Sequence, residues 1–103
     1  MPKVIVEVSF VPLGAGVSLS AYVAEALRII EASGLKFEFH SMGTNVEGDW
    51  EEVMGLLRRC MDRMFEMGAP RLSTSIKVSE RRDKEYAMEA KVASVRRLLG
   101  EKP

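Results

Sequence analysis

The sequence predicts a single α+β domain over residues 1–103, built as strand, helix, strand, strand, helix, strand, helix. Two patterns predict this order. Apolar residues alternate with polar ones in four short segments, which is typical of strands with one buried face, and they recur at helical spacing in three longer segments. A chain of 103 residues, 47% of them hydrophobic, is the size of one domain with a modest core.

The first strand is predicted over residues 4–11, where β-branched residues alternate between two faces. Pro12 and the glycines that follow are expected to end it in a loop. The first helix begins at Ser18 or Ser20, either of which can cap it, and Gly34 is expected to end it in the left-handed conformation. Its apolar stripe comprises Leu19, Val23, Ala26, Leu27 and Ile30.

Residues 36–40 and 44–47 are predicted to form an antiparallel hairpin around a turn at 41–43. Asp49, with Glu52 three positions later, fits a capping box at the start of the second helix. Cys60 is interpreted as a small core residue, and Gly68 with Pro70 ends the helix. The predicted apolar stripe comprises Trp50, Val53, Met54, Leu57, Met61, Met64 and Phe65.

The fourth strand is predicted over residues 71–78, and a last helix over residues 85–99. The last helix should turn Met88, Val92, Val95 and Leu98 toward the body of the protein. The first six elements then form a ferredoxin-like βαββαβ arrangement, an antiparallel sheet with two helices on one face, to which the C-terminal helix is added.

Two right-handed crossovers are expected to place the first and fourth strands in the middle of this sheet. The face opposite the helices would then carry polar side chains, and we expect another copy of the chain, or alternatively the last helix, to cover it. These side chains are Glu7, Ser9, Arg71, Ser73, Ser75 and Lys77.

Composition excludes several classes of function. Lys and Arg number 15 and Asp and Glu number 15, so no long-range field would attract nucleic acid or an anionic membrane. With a single cysteine the chain cannot form an internal disulfide. One cysteine and one histidine are also too few to provide the usual ligands of a zinc site. A strand pattern directly follows Met1, and no apolar run approaches the roughly 20 residues of a bilayer span, so we expect a cytoplasmic protein.

Candidate site residues are few. Thr44 and Glu47 place a hydroxyl and a carboxylate near a predicted sheet edge, where they could hold a nitrogen heterocycle or a cation; alternatively, Glu47 is a solvated edge-strand residue. The loop from Gly14 to Ser18 could bind an anion at the start of the first helix, or simply join strand to helix. No nucleophile, base and orienting residue come together, so we expect a protein that is not an enzyme.

Several motifs resemble the thiamine-binding protein family, a small ferredoxin-like family. They comprise residues 8–14, 18–24, 42–50, 73–77 and 81–84. The most specific part is Met-Gly-Thr-x-x-Glu-Gly-Asp at residues 42–49, because generic strand and capping chemistry does not demand that combination.

The resemblance implies a non-catalytic protein that forms dimers and tetramers, as a dimer of dimers through its sheets, without a metal or separate cofactor. It implies thiamine or its hydroxymethylpyrimidine moiety as the ligand. The alternatives are a structural or regulatory self-assembly module without a ligand, and an anion-binding protein that uses the loop from Gly14 to Ser18. The implied ligand-lining residues are Ser9, Ser18, Ser20, Thr44 and Glu47, with Thr74 and Lys77 as weaker candidates.

Overall fold

The seven elements follow one another as predicted. A computed structural model describes residues 3–14, 16, 19–83 and 87–100. The element order and the ferredoxin-like α+β layout are confirmed, and the bounds of the elements are β1 (Lys3–Leu13), α1 (Leu19–Ala32), β2 (Lys36–His40), β3 (Gly43–Asp49), α2 (Trp50–Glu66), β4 (Arg71–Glu80) and α3 (Met88–Leu98).

The strand order in the sheet is β2-β3-β1-β4, and each neighbouring pair is antiparallel. The prediction that the first and fourth strands lie in the middle was therefore wrong. Each crossover leaves room for one strand between the two that it joins. The crossover from β1 to β2 encloses β3 and that from β3 to β4 encloses β1, so β1 and β3 are central.

The strand β1 is longer than predicted, because it continues through Pro12 to Leu13. Its pairing with β3 runs from Lys3 opposite Asp49 to Val8 opposite Thr44. Beyond Val8, β4 is its one neighbour among the described strands. A proline is tolerated in such a one-sided stretch, because one edge of the strand makes no ladder hydrogen bonds.

The core lies between the sheet and the helices α1 and α2. Its buried residues are Val4, Val6, Val8, Tyr22, Ala26, Ile30, Val46, Val53, Leu56, Leu57, Cys60, Met64 and Ala69. Cys60 is confirmed as a core residue, with its thiol 3.7 Å from the carbonyl oxygen of Ala26. Burial raises the pKa of this thiol to about 11, so it is protonated and unreactive in the folded protein.

Of two predicted helix ends, the end of α1 is confirmed and the start of α2 differs in its capping. Gly34 lies at φ 77°, which confirms a left-handed residue just after α1. Asp49 is confirmed as the N-cap of α2, but its side chain makes no capping hydrogen bond, so the capping box was wrong. The predicted core residues Trp50 and Phe65 are 39% and 45% exposed, because they lie at the two ends of α2, outside its buried stripe.

The helix α3 does not pack as predicted. It begins at Met88, and none of its residues, all of which the structure describes, is buried. Val92, Val95 and Leu98, which were expected to face the body, are 50%, 56% and 88% exposed. Met88 and Val92 line a space between α3 and the sheet, whereas Val95 and Leu98 of the later turns are exposed to solvent.

The turn between β2 and β3 requires glycine at position 43. A Cβ at Gly43 would lie 2.7 Å from the backbone oxygen of Val8, closer than such contacts occur. We expect Gly43→Ala to lower the free energy of unfolding by about 1–3 kcal/mol, because the backbone must shift. The matched control Gly55→Ala, inside α2, meets the flexible Arg59 side chain at 3.9 Å and should raise it by about 0.5–1 kcal/mol.

Urea denaturation of both variants and the unaltered protein measures these changes. Equal stability of the two alanine variants would contradict the close approach at Gly43.

Candidate ligand-binding site

A cavity of about 500 Å³ lies between α1, the β2–β3 hairpin and the one-sided stretch of β1. It forms because β1 continues past Val8 while the neighbouring hairpin turns back at Ser41 and Met42, which leaves a notch in the sheet that α1 borders. The lining residues are Val8, Ser9, Phe10, Leu19, Ser20, Val23, Ala24, Leu27, Phe39, His40, Ser41, Met42, Gly43 and Thr44.

The cavity walls are mainly apolar, with a few hydroxyl groups. Thr44 is 5% exposed and borders the cavity from β3, while Ser20 borders it from the first turn of α1. Ser9 lines it at the notch. Apolar walls with a small number of polar groups are typical of pockets for organic ligands, whose volumes are commonly about 300–1,000 Å³.

His40 organises the hairpin turn beside this cavity. Its Nδ1 accepts a hydrogen bond from the backbone N–H of Met42 at 3.3 Å. Because Nδ1 is the acceptor, the Nε2 atom carries the proton, and it lies 3.1 Å from Asn45 Oδ1 and 3.4 Å from Glu7 Oε2. The histidine therefore ties the turn to β3 and β1.

Phe39 and Met42 form an apolar rim at the cavity. They are 54% and 78% exposed, so their apolar surface lies at the mouth of the cavity. Sequence reasoning missed both residues as site candidates, together with His40 and Ser41. An apolar residue within the two-residue turn of a hairpin was the available indication, because such turns favour small polar residues.

Glu47 lies on the other face of the sheet from Thr44. Side chains alternate along a strand, so residues three apart point to opposite faces. The hypothesis that Thr44 and Glu47 contact one ligand ring at a sheet edge is therefore wrong for a single chain. The alternative of a solvated edge glutamate is also wrong, because β3 is central and Glu47 is 4% exposed.

The Glu47 carboxylate holds the start of α3. It accepts the backbone N–H of Met88 at 2.7 Å and pairs with Lys3 Nζ at 3.3 Å and Lys36 Nζ at 3.7 Å. A carboxylate at a helix N-terminus satisfies an unpaired amide and complements the helix dipole. Its three partners compensate for the burial of the charge.

Lys36 adds a second link to α3, since its Nζ lies 2.8 Å from Glu89 Oε1. This hydrogen bond lowers the pKa of Glu89 and raises that of Lys36. Both side chains are largely exposed, so the pair orients the helix more than it stabilises the fold.

The other predicted site residues are dispersed. Ser18 lies outside the described residues. Thr74 is opposite Phe10 on β4, and its hydroxyl is buried without a hydrogen-bond partner among the described residues. Lys77 is opposite Glu7 and lines a smaller space of about 250 Å³ between α3 and the sheet. The structure thus brings together Ser9, Ser20 and Thr44, and separates them from Glu47, Thr74 and Lys77.

The described part of the chain contains no group of three or more His, Cys, Asp or Glu side chains arranged to hold a metal ion. Within the same residues, no helix has both the length and the apolar character that crossing a bilayer requires.

Comparison with known proteins decides the family. The sequence pattern described as thiamine-binding protein matches residues 6–96. The chain belongs to the thiamine-binding protein family. One relative is a UPF0045 protein of Synechocystis sp., which is 42% identical to this chain over 93 residues. The matched segment covers 90% of this chain and 77% of that protein.

Solved structures agree with this assignment. A hypothetical protein of Methanocaldococcus jannaschii is 37% identical and superposes with a TM-score of 0.85, over 92% of this chain and 97% of that one. A Thermotoga maritima protein, described as a candidate thiamine biosynthesis/salvage protein, is 26% identical with a TM-score of 0.79, over 92% of this chain and 100% of that one.

The anchoring role of Glu47 predicts the effect of removing its charge. Glu47→Gln keeps an oxygen for the Met88 amide but leaves Lys3 and Lys36 without their buried partner. We expect the free energy of unfolding to fall by about 1–3 kcal/mol and amide exchange in the first turn of α3 to accelerate.

The matched control is Glu38→Gln, an exposed residue on the same face of the sheet, which should change stability by less than about 0.5 kcal/mol. Denaturant unfolding and hydrogen exchange report the two effects separately. Equal behaviour of the two variants would exclude an anchor at Glu47.

Proposed function

We propose that this protein binds thiamine or its hydroxymethylpyrimidine moiety, without catalysis, in the cavity bordered by Thr44. One observation carries the proposal: the cavity of about 500 Å³ has mainly apolar walls, with Ser20, Ser41 and Thr44 among its lining residues and Ser9 on the one-sided stretch of β1. Membership of the thiamine-binding protein family supports the ligand class, as does the description of the Thermotoga maritima relative.

The ligand chemistry suits these walls. An aminopyrimidine offers an amino donor and ring-nitrogen acceptors, and the hydroxyls of Thr44 and Ser20 can both donate and accept. Its flat ring can pack against the apolar residues Val23 and Leu27 of α1, which line the cavity.

The thiazolium of thiamine carries a positive charge, which favours an outward orientation. Among the described lining residues there is no carboxylate that could neutralise this charge inside the cavity. At the rim, the exposed ring of Phe39 offers a cation–π contact. The pyrimidine therefore lies inside and the thiazolium at the mouth.

We also propose that the protein is a homo-oligomer, a dimer of dimers, rather than a partner of nucleic acid or membrane. Exposed apolar side chains on three separate elements support this, since a monomer would leave them in water. They include Val11, Ile76, Val78, Val92, Val95 and Leu99. The competing function is self-assembly without any ligand. A further alternative, anion binding by the loop from Gly14 to Ser18, depends on residues 15, 17 and 18, which lie outside the described residues.

Calorimetry with thiamine and with hydroxymethylpyrimidine tests the binding proposal. We expect both compounds to bind, and Thr44→Val and Ser20→Ala each to weaken binding by about 2- to 12-fold, the worth of one hydrogen bond of about 0.5–1.5 kcal/mol. Thr44→Val keeps the side-chain shape, so the change isolates the hydroxyl.

The control Ser75→Ala removes an exposed hydroxyl on β4, outside the cavity lining, and should leave affinity unchanged. Absence of heat with both compounds at millimolar concentration would overturn the binding proposal in favour of self-assembly alone. Loss of binding in Ser75→Ala but not in Thr44→Val would move the site to the other face of the sheet.

A further inference from the structure

The main chain of Phe10 faces the notch in the sheet. Successive residues of a strand direct their N–H and C=O groups to alternate edges. The oxygen of Val8 points toward β3, since it lies 2.7 Å from where a Cβ of Gly43 would be. Phe10, two residues further along β1, therefore directs both of its main-chain groups to the same edge. Beyond Val8, none of the described strands pairs with β1 on that edge.

The position of Pro12 supports this assignment of edges. Pro12 lies opposite Leu72 in the ladder with β4, and the ladder continues to Leu13 opposite Arg71. A proline has no N–H, so it fits within such a ladder when its nitrogen is on the other edge of the strand. That other edge is the notch edge, to which Phe10 also points.

His40 prevents the hairpin turn from pairing with Phe10. If the register between β1 and β3 continued, Met42 would lie opposite Phe10. Instead, the N–H of Met42 is donated to Nδ1 of His40 at 3.3 Å. Within the described part of the chain, no backbone hydrogen bond joins Met42 to Phe10. Phe10, which lines the cavity, thus presents a donor and an acceptor side by side at its wall.

This pair of groups matches one edge of the aminopyrimidine ring. The amino group of hydroxymethylpyrimidine is bonded to the carbon next to a ring nitrogen, so a donor and an acceptor lie side by side on the ring as well. An antiparallel strand exchanges two hydrogen bonds in the same way with one residue of its neighbour. The ring would therefore take the place of the missing residue of β3. Val23 and Leu27 of α1 line the same cavity and can cover one face of the ring.

We infer that the main chain of Phe10 recognises the aminopyrimidine, with its N–H donated to the ring nitrogen and its C=O accepting the amino group. The inference rests on the proposed function and adds the groups that determine its specificity. The hydroxyls of Ser20 and Thr44 can each donate or accept, whereas the two groups of Phe10 cannot exchange these roles. The cavity should therefore reject a ring in which donor and acceptor are reversed.

Calorimetry on the unaltered protein tests this selectivity. Hydroxymethylpyrimidine is compared with its oxo analogue, in which a carbonyl replaces the amino group and the adjacent ring nitrogen carries a proton. We expect the analogue to bind at least about tenfold more weakly, because both hydrogen bonds to Phe10 are lost. Equal binding of the two compounds would overturn the inference and leave the proposed function standing. Absence of binding by hydroxymethylpyrimidine itself would overturn both.

Amide hydrogen exchange locates the contact on the same protein. At saturating hydroxymethylpyrimidine, we expect exchange of the Phe10 N–H to slow by at least about fivefold, because the ring nitrogen now accepts it. The N–H of Val11, which faces β4 in the ladder opposite Ser73, is the internal control and should be little changed. Unchanged exchange at Phe10 in the saturated protein would overturn the inference.

A pair of variants isolates the donor. Phe10→Pro and Phe10→Leu both lose the aromatic ring, but only the proline also loses the N–H. We expect Phe10→Pro to bind hydroxymethylpyrimidine about 2- to 12-fold more weakly than Phe10→Leu. Equal affinities of two folded variants would contradict a role for the N–H. If Phe10→Pro does not fold, the analogue comparison and the exchange measurement, both made on the unaltered protein, decide.

Discussion

The alternation of side chains along β3 is the constraint on which the rest of the structure depends. This central strand sends Thr44 toward the helices, where the cavity lies, and Glu47 toward the opposite face, where α3 begins. A strand with only one buried face needs apolar residues only at every second position, on that face. Here both faces are occupied, so the same short segment borders the cavity on one face and anchors a helix on the other.

Burial of the Glu47 carboxylate explains why α3 stays at the sheet although none of its own residues is buried. An unpaired charge at this depth would cost several kcal/mol, and the combination of one backbone amide and two lysines offsets that cost. The anchor is polar and local. It fixes where α3 starts and leaves the apolar side chains of its later turns to solvent or to another chain.

Much of the fold followed from the sequence, because hydrophobic periodicity and glycine positions are local properties. The hairpin turn, the end of α1 at Gly34 and the burial of Cys60 were all predicted. The central strands were not, because strand order depends on which strand each crossover encloses. The apolar stripe of α3 was predicted to face the body of the protein along its whole length for a related reason: periodicity shows that a face is apolar, but not what covers it.

The candidate site was predictable only in part. Ser9, Ser20 and Thr44 do lie together, whereas the grouping of Thr44 with Glu47 treated closeness in sequence as closeness in space. The cavity itself could not be foreseen, since it arises from a difference in length between β1 and its neighbouring hairpin. That difference appears once the register of the two strands is known.

The two glycines that flank this segment hold its register. A Cβ at Gly43 would approach the oxygen of Val8 to 2.7 Å, and one at Gly48 would lie 3.2 Å from Leu35 and 3.3 Å from Val53. A slip of one residue would bring side chains into both of these positions. It would also move Glu47 into the core and Thr44 out of the cavity.

The pattern Gly-Thr-x-x-Glu-Gly therefore has a physical meaning as a unit. Its glycines admit a single register, and that register places the hydroxyl at the cavity and the carboxylate at the start of α3. Neither placement is available to the strand without the other.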